Sequence, residues 1–308
     1  MRAAYFDEHG GPEVLKSGDL PDPVPRAGEL LVEVHAASVN GADWRVRAGA
    51  YRRPVGHFPY VPGRDFSGEV SAIGAGVTGF RAGDEVFGVC DVGQEGAYAE
   101  KLAIRADLVA PKPAGLSHAE CAAVALTGLT ATVTIEDTLA VEPGESVFVS
   151  GGAGGVASFA IQLVRHLGAR VASTTSTANL DYVRGLGADP VVDYTRDDFA
   201  TLVGGCDAAF DTVGGDVATR CFAVLRPGGR AAFIASGDTA PPSPRPDVRS
   251  LRPKVARDRA HLERIAALVT GGAVKVPPLT ILPLAEAAEA HRVSEGRHLR
   301  GKLVLRVR

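Results

Sequence analysis

The chain has 308 residues, 45% of them hydrophobic and 22% charged, with 33 Lys and Arg against 36 Asp and Glu. That length allows two domains with real cores, and the composition excludes disordered, collagen-like and coiled-coil classes. A formal charge of −3 argues against nucleic-acid and anionic-membrane partners, which require a strongly basic face.

The N-terminal MRAAYFDEHGG has no apolar export segment, and no run of about 18 apolar residues follows, so a cytoplasmic location is expected. Residues 1–115 read as β-rich. In LLVEVHAAS (30–38), Val32, Val34 and Ala36 alternate with Leu31, Glu33 and His35, and PGRDFSGEVSAIGAGV (62–77) and FRAGDEVFGV (80–89) add short strands between glycine turns. The pattern predicts a small, strongly bent sheet or barrel. Cys90, Cys121, Cys206 and Cys221 have neither disulfide nor zinc-knuckle spacing and are expected as buried thiols.

Ser117 and Glu120 form a capping-box signature ahead of an Ala-rich helix running to Leu126. Thr127-Gly128-Leu129-Thr130 is expected to interrupt it before a second helical stretch to about Leu139. From Glu145 strands alternate with helices: SVFVS (146–150), ARVASTT (169–175), PVVDY (190–194), DAAFDTV (207–213) and RAAFIAS (230–236) are the strands. Apolar strands in repeated β-α-β order predict a parallel sheet covered on both faces. A Pro-rich segment, 238–253, reads as a boundary or mobile connection, and a terminal strand, GKLVLRV (301–307), follows two helical patterns. Returning this tail to the N-terminal domain is the economical arrangement.

The most informative segment is VFVSGGAGGVASFAIQLV (147–164), where Gly152-x-Gly154-x-x-Ala157 lies between a strand and a helix. Gly152 is expected to permit the tight turn, Gly154 to let a pyrophosphate approach, and Ala157 to allow close helix packing. The helix start, with Ala153, Gly155 and Val156, offers amides to the anion. An NAD-selective site usually carries an acid at the end of the second strand. Here Ser173, Thr174 and Ser176 occupy that region, with no acid before Asp181 and no Arg or Lys in the loop. Hydroxyls suit a 2′-phosphate, so NADPH is the expected cofactor.

Read together, AASVNGADWRVRAGAY (36–51), FPYVPGRDFSGEV (58–70), AGDEVFG (82–88), ALTGLTA (125–131), SGGAGGVASFAIQL (150–163), FDTVGG (210–215), LRPGGR (225–230) and RGKLVL (300–305) resemble the zinc-independent quinone oxidoreductase family of the medium-chain dehydrogenase/reductase superfamily. The resemblance implies a GroES-like catalytic domain over 1–118 and 256–308, and a Rossmann domain over 119–255. It also implies a cleft between them, an NADPH-dependent two-electron reduction and a homodimer. Zinc-containing relatives place Cys where Asn40 stands and Gly-His-Glu where Gly63-Arg64-Asp65 stands, and carry four clustered cysteines that this chain lacks. No metal is therefore expected.

By the same resemblance, Asn40 contacts the nicotinamide ribose or a substrate carbonyl, and Asp43 orders its loop or relays a proton. Tyr51 lines the substrate pocket and hydrogen-bonds an acceptor oxygen. Arg45 replaces a second tyrosine, hinting at a polar or anionic ligand. Arg64 and Asp65 are expected to pair with each other. Thr127 and Thr130 approach the nicotinamide and phosphates, and Tyr194 flanks the 2′-phosphate. Val213, Ile234 and Ser236 lie at strand ends beside the nicotinamide, and Arg300 and Lys302 reach the cofactor from the tail. The expected activity is reduction of quinones or α,β-unsaturated carbonyl compounds. Alternatives are an enoyl reductase of a biosynthetic pathway and a non-catalytic NADPH-binding regulatory protein.

Overall fold

The alternating segment at 30–38 forms the strand Glu29–Ser38 in a computed structural model that describes residues 1–51 and 55–308. Leu30, Val32 and Val34 on its inner face are fully buried, as the two-residue period of a strand requires. One edge pairs antiparallel with Asp65–Ile73. The other pairs with Lys101–Arg105 at its start and with Lys302–Arg306 at its end. Register shifts at Leu31/Val32 and Val34/Ala36 bend it, which lets one strand serve three neighbours. Glu85–Val89, Val109–Pro111 and Leu279–Pro283 complete a seven-stranded sheet. It closes on Phe66, Val70, Val86, Leu303 and Leu305.

These elements belong to a first unit comprising Met1–Leu126, Arg257–Thr270 and Pro278–Arg308, and the rest forms a second unit, Thr127–Ala256 with Gly271–Pro277. The units part within a helix rather than at its start. The capping box forms as expected, with Ser117 N donating to Glu120 Oε2 and Glu120 N to Ser117 Oγ. However, His118–Thr132 is unbroken and continues as a π-helix over Val133–Thr138, correcting the expected interruption at 127–130. A helical glycine costs about 1 kcal/mol, and full burial of Leu129 and Ala131 outweighs that. At 21 residues this helix matches a membrane span by length, and its burial within the protein explains its apolar character.

The second unit is built on six parallel strands. Their spatial order is Val191–Asp193, Arg170–Thr175, Ser146–Val149, Cys206–Asp211, Leu225–Phe233 and Arg249–Leu251. Chain order reverses between the third and fourth of these, and in such sheets ligands bind beyond the carboxyl ends of the strands at that point. The Pro-rich segment read as a connection supplies the edge strand Arg249–Leu251. Residues 271–277, expected in the catalytic domain, belong here because Gln162 grips the Lys275 backbone in both directions, donating to its carbonyl and accepting from its amide. All four cysteines are buried free thiols, and burial pushes Cys121 up to about 12.

One side chain ties the second unit together. Arg230 donates from Nη1 and Nη2 to the two oxygens of Glu145, at 2.9 and 2.7 Å. It also reaches the carbonyls of Leu139, Ala140 and Asp207. Ala140 has a left-handed φ of 47° where the long helix ends, and the guanidinium satisfies the carbonyls left there. Arg230→Ala strands a carboxylate and several carbonyls. Glu145 is only half-buried, so the cost lies below the ~3–5 kcal/mol of a fully buried pair, and the Tm in a calorimetric scan is expected to fall by about 5 °C. Arg230→Lys should recover little of it, lacking the planar fork.

Candidate functional site

In the first unit, Asn40 caps the helix Gly41–Arg47. Its backbone amide donates to Asp43 Oδ2 at 2.8 Å, closing a capping box. Its side chain is held at both ends. Lys302 Nζ donates to Asn40 Oδ1 at 2.5 Å, and Asn40 Nδ2 donates to Asp65 Oδ1 at 2.8 Å. Lys302 also donates to the Val39 carbonyl, while Asp65 accepts from Ser38 Oγ and Leu126 N. Burial pushes the Asp65 carboxyl up and the Lys302 ammonium down, and their attraction opposes both shifts.

Arg64 does not pair with Asp65, as the sequence suggested. Neighbouring residues in extended chain point to opposite sides. Asp65 turns to Ser38 and Asn40, whereas Arg64 reaches Glu95 at 2.9 Å and Asp43 at 3.7 Å. Its Nη1 donates to the Tyr51 hydroxyl at 3.0 Å, and its guanidinium carbon lies 4.4 Å from the Tyr51 ring centre. Tyr98 donates to Asp43 Oδ2, and Tyr60 donates to Glu95. Burial raises the Asp43 carboxyl to about 7, with Arg64 holding it down against that rise.

Thus Asn40, Asp43, Tyr51 and Lys302 are brought into one network. Lys302, expected at the cofactor, has its ammonium buried against Val39 and Asn40. Glu95, Tyr60 and Tyr98 escaped the sequence reading because only the fold brings them near Asp43. A pocket beside the network is lined by Val46, Tyr51, Val55, Tyr60, Val92 and Glu95. Arg300 lies exposed just before the terminal strand.

In the second unit the glycine loop joins Ser146–Val149 to the helix Gly155–His166. The left-handed turn falls at Gly151, φ 71°, one residue before the expected Gly152. Gly152 is required for a different reason: a Cβ there would sit 2.5 Å from Ser173 Oγ and 2.8 Å from Val183. At Gly154 a Cβ would meet only the Gly151 carbonyl, at 3.5 Å, so that side is open. Ala153 and Ala157 are buried. The opening amides of the helix, from Gly155 and Val156 on, have no preceding turn to bond. This loop fits a dinucleotide pyrophosphate.

Ser173 and Thr174 support the loop from below. Ser173 Oγ donates to the Val149 carbonyl, and Thr174 Oγ1 accepts from Gly151 N. Ser176, half-buried, accepts from Asn179 Nδ2. Tyr194 is exposed at the end of the neighbouring strand. Arg196, two residues on and 73% exposed, places a cation after this unit's third strand in chain order rather than after its second. Val213, Ile234 and Ser236 follow the next two strands, as read. Val213 is held by Asp211, whose carboxylate accepts from Ser150 Oγ, Val213 N and Gly214 N, and the Asp211 carbonyl accepts from Ile234 N. Thr130 lies on the long buried helix, where its carbonyl accepts from Thr134.

A bent GroES-like unit together with a six-stranded Rossmann sheet defines the medium-chain dehydrogenase/reductase class. Family models described as alcohol dehydrogenase GroES-like domain and zinc-binding dehydrogenase match residues 26–114 and 186–305. An Arabidopsis thaliana protein named NADPH-dependent alkenal/one oxidoreductase, chloroplastic, is 32% identical over 99% of this chain and 79% of its own length. The structure of the quinone oxidoreductase from Coxiella burnetii superposes with a TM-score of 0.91 at 31% identity, covering 100% of this chain and 99% of that one. The Escherichia coli quinone oxidoreductase complexed with NADPH gives 0.90 at 27% identity, with 100% of both chains covered. The chain belongs to the quinone oxidoreductase family of the medium-chain dehydrogenase/reductase superfamily.

The raised Asp43 carboxyl has a measurable signature. Between the ~3.9 of an unfolded Asp and about 7, the folded protein holds a proton that the unfolded chain releases. Its contribution to stability therefore falls as pH rises through that window. Asp43→Asn removes the dependence, so its Tm relative to the parent should climb from pH 4 to pH 7 and level off above. A flat difference across that range would show that Asp43 ionises normally.

Proposed function

We propose that the protein is an NADPH-dependent reductase of quinones or α,β-unsaturated carbonyl compounds that works without zinc. One observation carries the metal-independent part. Where zinc-containing relatives present metal ligands, this chain presents Asn40 and Arg64, with the Lys302 ammonium bonded to Asn40. Two cations with their carboxylate partners stand at those positions, which supports the reading. Among the described residues no three His, Cys, Asp or Glu side chains converge as a ligand set.

NADPH, when bound, would supply the hydride; the open side of Gly154 and the helix amides of Gly155 and Val156 would hold its pyrophosphate, with Gly152 letting the loop pack on Ser173. Ser176, Tyr194 and Arg196 are assigned to the 2′-phosphate. Tyr51 accepts a hydrogen bond from Arg64, so its own hydroxyl hydrogen is directed to an acceptor oxygen, where negative charge develops. Asn40, engaged at both ends of its amide, positions the start of its helix and through it Asp43. The resemblance further leads us to propose a cytoplasmic homodimer, with a solution mass twice that of the chain.

NADPH absorbance should fall steadily with 1,4-benzoquinone or but-3-en-2-one, and dialysis against a chelator should leave the rate unchanged. A chain that binds NADPH yet turns over no acceptor faster than buffer would be the regulatory protein instead. Tyr51→Phe should lower kcat by about 100-fold or more, the usual worth of a positioned acid, with KM moving less. An unchanged kcat/KM would remove Tyr51 from the chemistry.

A further inference from the structure

The helix Gly41–Arg47 carries a second polar feature that the mechanism above does not use. Trp44 is the chain's single tryptophan. The guanidinium carbons of Arg45 and Arg297 lie 5.2 and 5.8 Å from its ring centre, both within cation–π range. Neither arginine has a carboxylate partner among the described residues, because the nearby acids are engaged elsewhere: Glu295 by Arg47 and Glu289 by Arg292. The Trp44 indole Nε1 is buried without a hydrogen-bond partner.

Burial and the charge of Arg297 both act against the charged form of Arg45, as expected for two cations gathered without an anion. Arg297 also has a left-handed φ of 54°, a conformation that residues other than glycine seldom adopt. Backbone strain of this kind persists where the surroundings enforce it and gathers at ligand-binding sites. The Arg45 carbonyl accepts from Ala50 N at 2.9 Å, so Arg45 is tied to the residue that precedes Tyr51, the group assigned as proton donor.

We propose that Arg45 and Arg297, stacked on Trp44, form an anion subsite for the acceptor, so that the preferred substrates are enones or quinones carrying a carboxylate or a phosphate. This rests on the reading that Tyr51 faces the acceptor oxygen. The reducible carbonyl would meet Tyr51 while the anionic end meets the guanidinium forks, whose planar donors match carboxylate and phosphate oxygens.

The test pairs charged and neutral acceptors. 4-Oxo-4-phenylbut-2-enoate is compared with its methyl ester, and crotonyl-CoA with crotonyl-N-acetylcysteamine. A charged member is expected to exceed its neutral partner in kcat/KM by ~10- to 100-fold, as charge-assisted hydrogen bonds allow. The ratio should fall to near one in Arg45→Gln and Arg297→Gln, and remain in the control Arg292→Gln. Preference within the first pair identifies a carboxylate; preference within the second identifies a phosphate only where both arginine variants abolish it. An enzyme that reduces the neutral acceptors with no preference in either pair overturns the subsite and leaves the reductase reading intact. If no acceptor oxidises NADPH, that reading fails, and Trp44 fluorescence decides the subsite separately. A saturable change on titrating benzoate or inorganic phosphate, lost in Arg297→Gln, sustains it; no saturable change overturns it.

Discussion

The first unit is organised around a single amide. Asn40 is held between the Lys302 ammonium and the Asp65 carboxylate, so the last strand, the end of the first long strand and the start of the helix after it meet at one side chain. Burying two opposite charges is expensive, and apolar residues of the same volume would often be more stable. The exchange is for orientation: with a donor on one side and an acceptor on the other, the amide has one way to face. The Asn40 backbone continues the same network, donating to Asp43, which in turn faces Arg64 and, through it, Tyr51.

The second unit solves a similar problem with one buried acid. Asp211 lies at the end of a central strand and gathers two backbone amides and the Ser150 hydroxyl. Those bonds offset the desolvation of its carboxylate. Because Ser150 opens the glycine loop and Val213 opens the neighbouring one, both loops are set before any ligand arrives, and pre-set loops lose less entropy on binding. Ser173 and Thr174 act in the same way from beneath, which is why their hydroxyls face the loop backbone.

Much of this was legible in the chain. The strand-glycine-helix pattern at 147–164, the alternation at 30–38 and the capping box at Ser117 each rest on local geometry, and local geometry is what sequence periodicity encodes. The misreadings share a cause. Gly128 looked like a helix break because propensity is local, whereas the burial that overrides it is not. The segment 238–253 looked like a connection because three residues of edge strand are too few to show a period. Arg64 was matched with its sequence neighbour when its partners, Glu95 and Asp43, are distant in sequence and adjacent only in the fold. The turn glycine was misplaced by one residue because a motif gives spacing without φ.

Lys302 and Asn40 stand 262 residues apart, and this separation dictates an order of events during synthesis. As the chain leaves the ribosome, all six strands of the nucleotide-binding sheet are available once Leu251 has emerged. The N-terminal strands, though made earlier, meet the Lys302 partner of Asn40 only when the tail has emerged. A nascent chain stalled short of Lys302 would already hold every strand of the Rossmann sheet, while Asn40 lacked its cationic partner and the long first strand its C-terminal neighbour.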